Sequence, residues 1–494
     1  MGSGSVPSQE GRILVTGRCT PDAFVLSTTP MHDPRNRQSS PQYLELEIED
    51  LALGGRGVAH HDGKVVLVEH GFPGDLVKAR VYRRRRTLWE AHAEEILSAS
   101  PWREPPRCPH VGTCGGCKLQ GLAYPEQLAA KTSQVTEALR RLGGIDDPPM
   151  RDSIPAPEVF EYRNKMEFSF AVDRETGQLI CGMHYAGRFD RVFDLQECHL
   201  VPPTYAAVVQ STRAFLRERK VPAYDQRTHE GHARFLVVRR SVASGELVVN
   251  FVTTSADYAL KDGFVTALTG AVPEVTGIVH SISDRKAQVA VGERMDVWFG
   301  RDHMTERLGD LEFDLAPNAF FQTNSRQAAA LYDLVVRAAE PSGDELTLDL
   351  YCGTGTIGLY VAPRVKAVLG VESVAEAVDN ARANAARNGT GNASFECADV
   401  LDWLKQFDAA GSGDPRLIVI DPPRAGLHPD VPKLLVNLKP RRIVYVSCNP
   451  AALARDAQLL GDRGYAITQV TPIDMFPHTA HIESVAVFDS PNLA

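Results

Sequence analysis

Regular alternation of apolar and polar positions begins at Tyr43. YLELEIEDL, KVVLVEH and DLVKARVYR alternate over part of their length, and glycine-rich turns at Gly54-Gly55 and Gly71 to Gly74 separate them. Half-buried strands have this period, so residues 43–100 are predicted to form a small OB-like β-barrel, its last strand ending near Ser98. Residues 1–42 sustain no period and are rich in Gly, Ser, Pro, Thr and Arg, the composition of a mobile tail. Between 101 and 312 the pattern is mixed: a cysteine-rich loop, a helical stretch from Tyr124 to Leu142, and strand-like runs KMEFSFAVD, ARFLVVRRS and ELVVNFVTT. An α+β central domain accounts for that mixture. From Phe313 to residue 494, apolar runs alternate with helical patterns, the mark of a Rossmann-like, doubly wound sheet. Parallel strands are expected at LTLDL, VKAVLGVE, ASFECAD, LIVID and RRIVYVS. GYAITQVTPID and HIESVAVFD leave no room for a crossover helix between them, which predicts a hairpin and an antiparallel last strand. The fold class is thus multidomain α/β.

Composition changes this picture in three places. The chain has 494 residues, enough for two to four cores. It lacks a secretory apolar run at its start, and no stretch reaches the length of a membrane span, so a cytoplasmic monomer is expected. Nine cysteines without an export signal point to thiol chemistry or metal ligation rather than disulfides. The net charge of −9 argues against a uniformly basic surface, yet the run Arg80 to Arg86 is a local patch suited to phosphates, or else a solvated strand edge.

The candidate chemistry gathers at one sheet edge. Asp349-Leu-Tyr-Cys-Gly-Thr-Gly-Thr-Ile-Gly358 follows the first strand and opens a helix, with Gly353 and Gly355 as turn glycines. Glu372 closes the second strand, where an acid accepts from ribose hydroxyls; Asp399 and Asp421 end the third and fourth. A dinucleotide dehydrogenase shares the glycine loop, but four acids on one edge suit a cationic cofactor better. Some of these acids could instead be helix N-caps, Asp399 first among them. Cys448 ends the fifth strand on the same edge, and the reversed last strand brings Glu483 back to it. A thiol and a carboxylate so placed suit covalent addition to an electron-poor ring followed by proton removal. Cys352 and Cys397 read as small buried apolar fillers.

Two resemblances sharpen this reading. LALGGRGVAHHDGKVVLVEHGFPGD resembles the opening of the TRAM domain, an RNA-binding β-barrel. Over most of its length the chain resembles the RNA uracil-5-methyltransferase family, matching YRNK at Tyr162 to Lys165, FFQTN at Phe320 to Asn324, DLYCGTGTIGL, DPPRAGL at Asp421 to Leu427, SCNP and HIESV. The resemblance implies a class I methyltransferase domain at 313–494 that binds S-adenosylmethionine through Gln322, Tyr351, Thr356, Glu372, Asp399 and Asp421. It further implies Cys448 as nucleophile and Glu483 as proton acceptor. The substrate it implies is RNA, 23S rRNA first and tRNA second, because members with a TRAM-like barrel and a cysteine cluster tend to act on large-subunit rRNA. Ala452 departs from the family, which often has Thr there. The target uridine must leave its stack for a thiol to reach the ring, and Phe321 and Phe476 are candidate stacking partners.

Cys108, Cys114 and Cys117 form a C-x5-C-x2-C loop that needs a fourth ligand, for which Cys198 is the best candidate, with Cys181 and His110 behind it. Zinc and an iron-sulfur cluster both suit four thiolates; the family resemblance implies a 4Fe-4S cluster on Cys108, Cys114, Cys117 and Cys198. The rival functions are an amino-group methyltransferase, a cytosine-5 enzyme and an RNA-binding protein with a degenerate catalytic domain. The first commonly carries an aromatic residue after Asp-Pro-Pro, where this chain has Arg424. The second keeps its nucleophile in other surroundings, and the third would not retain both Cys448 and Glu483.

Overall fold

The computed structural model describes residues 42–410 and 415–491. The expected N-terminal tail lies outside the described residues, apart from Gln42, which opens the first strand.

The N-terminal strands close into a barrel in which Gln42–Glu47 pairs with Leu76–Arg84 and Asp50–Ala52 pairs with Arg56–His61. One bent segment serves both pairings. Ile48 and Glu49 carry it across the seam, their N–H groups donating to the carbonyls of Asp75 and Val58 at 2.8 Å each. Closure leaves no free edge between the two halves, and the inward positions Leu44, Leu46, Ile48, Val66, Val68 and Val77 fill the interior. Lys64–Glu69 and Leu88–Ser98 pair in parallel, which the alternation alone did not reveal.

The central domain is a seven-stranded sheet whose only parallel pair is Leu247–Thr253 with Val275–Ile282. Helix Lys261–Ala271 makes the crossover that a parallel pair demands, and it packs with helix Thr204–Glu218.

Seven strands build the C-terminal sheet: Leu346–Leu350 (β1), Ala367–Glu372 (β2), Ala393–Cys397 (β3), Pro415–Ile420 (β4), Arg442–Ser447 (β5), Ala466–Ile473 (β6) and Glu483–Asp489 (β7). Their order is β3-β2-β1-β4-β5-β7-β6. β1 to β5 are parallel, and β7 runs antiparallel to both β5 and β6, so the expected terminal hairpin is present. The point where the order reverses, between β1 and β4, is where open α/β sheets bind ligands.

Earlier parts of the chain also pack on this domain. Residues 148–155 run along β6, with Met150 bridging Val470 and Ile154 bridging Ile473. Hairpin Met304–Leu308 with Leu311–Leu315 contacts helices Ser325–Ala339 and Ala375–Arg387. Helix Tyr124–Arg141 lies on helix Pro450–Gly461, sharing one core through Val135, Ala138, Leu139, Leu453 and Ala454. Among the described residues no helix is long and apolar enough to cross a membrane.

Candidate active site

The glycine loop is held by its own backbone. Tyr351 and Gly353 have φ of 62° and 53°, and Gly355, at 77°, caps helix Thr356–Val361. A Cβ on Gly355 would stand 2.8 Å from the Phe395 ring, so this position has neither the conformation nor the room for a side chain. Gly358 is equally close to Asp349: its N–H donates to Asp349 Oδ2 at 2.8 Å. The other oxygen, Oδ1, is buried with no hydrogen-bond partner. Burial pushes the Asp349 and Asp421 carboxyls up to about 7 each, Asp349 also feeling Asp421 and Glu372. A positively charged ligand group beside these buried carboxyls would relieve both. Glu372 accepts from the N–H groups of Gly353 (3.2 Å) and Val374 (2.9 Å), which fixes it at the loop mouth.

Of the other expected cofactor residues, Thr356 and Asp399 lie near this loop. Thr356 opens its helix and hydrogen-bonds Tyr332, a buried phenol that sequence reasoning passed over. Gln322 is buried, and its carbonyl accepts from Asn164 of the YRNK segment at 2.9 Å. Asp399 differs from expectation in detail. β3 ends at Cys397, and Asp399 instead accepts from the N–H groups of Leu401 (2.9 Å) and Asp402 (3.1 Å), capping the following helix.

One strand away, β5 and β7 bring the thiol and the carboxylate together. Ser447 pairs with Ser484, so Cys448 and Glu483 occupy adjacent ends of neighbouring strands. Burial raises the Cys448 thiol to about 11, with the nearby Glu483 and Asp421 carboxylates adding to the rise and Arg424 opposing it. Glu483 is only 4% exposed, and its carboxyl is raised well above the usual range by burial and by Asp421, again opposed by Arg424. Arg424 is therefore the cation shared by both groups. Its loop is tied down: the Arg424 carbonyl accepts from Asn449 at 2.9 Å, and buried Asp456 accepts from Leu427 N–H (2.8 Å) and Tyr445 hydroxyl (2.7 Å). Asp456 was not singled out from sequence, although it sits in the same segment as SCNP.

Two aromatic expectations separate. Phe476 lies half-buried with its ring 6.3 Å from His481, whereas Phe321 packs into the core against Phe313 and cannot stack a ligand. Its neighbour Phe320 is 69% exposed, so the two adjacent rings differ in where they go. Cys352 is buried as expected, but Cys397 is exposed at the end of β3, the edge strand of the sheet.

Cys108, Cys114, Cys117 and Cys198 line one cavity of about 80 Å³, together with Arg163, Met166, Met183 and Phe193. Burial raises all four thiols, Cys198 to about 11, and Cys117 also feels the other three. Cys181 is fully buried outside this set, and His110 lies on the cavity wall. No three of these thiols have sulfurs mutually within 4.8 Å; among the described residues only Glu69, His70 and His92 form so tight a ligand-type group. On the barrel, Lys64 and Arg84 flank the Trp89 ring at 4.9 and 5.4 Å, and Arg85 and Arg86 are exposed at the end of the basic run.

Comparison with known proteins agrees with this geometry. Residues 285–490 match the family model of tRNA (uracil-5-)-methyltransferase, and residues 41–93 match the TRAM domain. An uncharacterized RNA methyltransferase of Chlorobaculum tepidum is 40% identical over 93% of this chain and 99% of its own. Another, of Caldanaerobacter subterraneus, is 38% identical over 91% and 99%. The crystal structure of Pyrococcus abyssi tRNA (uracil-54, C5)-methyltransferase in complex with S-adenosyl-L-homocysteine superposes with a TM-score of 0.70 at 30% identity, covering 90% of this chain and all of that one. The chain belongs to the RNA uracil-5-methyltransferase family and carries a TRAM domain ahead of its catalytic fold.

Proposed function

We propose that this enzyme methylates carbon 5 of a uridine in 23S rRNA through a covalent bond between Cys448 and the ring. The observation that carries it is the pairing of Ser447 with Ser484, which sets a thiol and a buried carboxylate side by side at the ligand edge of the sheet. Bound S-adenosylmethionine supplies an electrophilic methyl group on a sulfonium. Its positive charge fits the orphaned Asp349 oxygen and the raised Asp421 carboxyl; Gln322, Tyr351, Thr356, Glu372 and Asp399 complete the proposed cradle.

The Cys448 thiolate adds to carbon 6, forming a C–S bond and pushing the ring π electrons onto carbon 5 and its neighbouring carbonyl. Carbon 5 then takes the methyl group as the sulfonium bond breaks. Glu483 removes the proton from carbon 5, the ring double bond re-forms, and the C–S bond breaks to release Cys448. Arg424 sits where it offsets the charge of both groups.

A 4Fe-4S cluster is the proposed occupant of the four-cysteine cavity, with a structural role. Zn–S bonds of about 2.3 Å give sulfur separations of roughly 3.8 Å, and no three of these sulfurs lie mutually within 4.8 Å. Replacing any of Cys108, Cys114, Cys117 or Cys198 with Ser should strip iron and sulfide from the purified protein, while Cys181→Ser should not. Zinc at one per chain in place of iron would refute the cluster.

A tRNA substrate is the second reading, favoured by the Pyrococcus abyssi enzyme, whose alignment over 90% of this chain extends to the barrel and central domain. The 23S rRNA reading draws on the pairing of a TRAM barrel with a cysteine cluster. Mapping 5-methyluridine in rRNA and tRNA from cells with and without the protein decides between them: a mark lost from 23S rRNA supports the first, and one lost only from tRNA replaces it. We place the enzyme in the cytoplasm as a monomer.

A further inference from the structure

Helix Tyr124–Arg141 buries three polar side chains, Gln127, Lys131 and Gln134, on the face that carries its apolar contacts. Their spacing puts them on one stripe. Burying a lysine is strongly unfavourable unless it is paired, so what this stripe holds is informative.

Lys131 donates to Asp474 Oδ1 at 2.8 Å and to the Phe476 carbonyl at 3.1 Å, and Asp474 in turn accepts from Phe476 N–H at 3.1 Å. Gln127 grips His478 twice: Oε1 accepts from its N–H at 2.9 Å, and Nε2 lies 3.1 Å from its Nδ1. Leu119, two residues beyond Cys117, donates to the His478 carbonyl at 2.9 Å. These bonds sustain a φ of 66° at His478, a left-handed conformation that is unfavourable for a non-glycine residue. Strain held by converging hydrogen bonds is a mark of a positioned segment. Gln134 reaches the other way, donating to the carbonyls of Leu51 and Ala52 in the barrel at 3.1 and 3.2 Å.

The held segment, residues 474–482, carries Phe476 and His481 and runs directly into Glu483 at the start of β7. Arg424, which faces Cys448 and Glu483, also acts on His481. We infer that Gln127 and Lys131 are positioning residues that set where the 474–483 segment places Phe476, His481 and Glu483 relative to Cys448. This rests on the proposed covalent reaction. Apolar residues in place of a buried ion pair are often neutral or stabilising; what the polar contacts add is a fixed register for a segment that lies outside the sheet ladder, alongside the bonds from Asn324 to the Met475 carbonyl and from Tyr162 to the Pro477 carbonyl.

The test compares Gln127→Met and the double variant Lys131→Met/Asp474→Leu with the wild type, using 5-fluorouridine RNA and S-adenosylmethionine. The double change avoids the buried orphan carboxylate that Lys131→Met alone would leave. Both variants should bind RNA and S-adenosylhomocysteine within about twofold of wild type, yet form the protein–RNA adduct about ten- to a hundredfold more slowly. Adduct rates within about threefold of wild type in folded variants would overturn the inference. So would slowing matched by an equal loss of both affinities, the sign of general loosening. A wild type that forms no adduct, or one that survives Cys448→Ala, overturns the covalent reading and this inference with it.

Discussion

At the scale of single residues, Cys448 and Glu483 work against each other electrostatically, although the proposed reaction uses them in sequence. Burial and the neighbouring carboxylates hold the thiol at about 11, so the reactive thiolate fraction grows as pH rises toward that value. Removing the Glu483 charge takes away one of the groups that raise it. In Glu483→Gln the midpoint of the pH profile for alkylation at residue 448, read by peptide mass mapping, should therefore move to lower pH. Turnover should nevertheless fall by about a hundredfold or more, and methylated RNA should stay attached, because the carbon 5 proton has lost its acceptor. A midpoint that stays put or rises would show that the carboxylate does not act on the thiol. The placement of both residues was legible in the sequence, because Cys448 follows the end of one strand and Glu483 opens its antiparallel neighbour on the same edge. Arg424 was noticed only as a departure from another family, and its service to both groups depends on loop geometry that no periodicity encodes. Phe321 and Phe476 could not be ranked as stacking candidates for a related reason: adjacent aromatics in an irregular loop give no sign of which faces out.

At the scale of elements, the glycine loop and the segment before β7 show two ways of fixing a site. The loop uses backbone conformation. Gly355→Ala would meet the Phe395 ring at 2.8 Å and force a side chain to φ 77°. Such strain costs about 1–3 kcal/mol, and thermal melting should show a lowered midpoint together with weaker S-adenosylhomocysteine binding by calorimetry. Unchanged affinity in that variant would separate the loop from the cofactor. The five parallel strands and the terminal hairpin were readable because each apolar run is bounded by turn residues and spaced for a helix or for none. The link along β6 by residues 148–155 was not, since Pro-rich text with isolated bridges has no period to detect. Hairpin Met304–Leu315 is too short to stand out from the strands around it.

At the scale of the whole molecule, the chain's acidic average conceals a basic barrel edge. Arg85 and Arg86 are exposed beyond the Trp89 stack, suited to phosphates. Replacing both with Ala should weaken RNA binding at every sequence tested and reduce the slope of log affinity against log salt by about one to two. A variant with the wild-type slope would place the RNA elsewhere. The barrel, the central domain and the helix from Tyr124 were foreseeable from their patterns, but not that this helix joins them to the catalytic edge, because Gln127, Lys131 and Gln134 look like a solvated stripe until their distant partners are seen. What the assembled molecule is proposed to do comes down to one bond. The most direct measurement is the intact mass of the protein after incubation with a 5-fluorouridine RNA and S-adenosylmethionine. Covalent catalysis at Cys448 predicts a species heavier by the methylated RNA in the wild type and none in Cys448→Ala; a full-yield adduct in that variant, or none in the wild type, would contradict it.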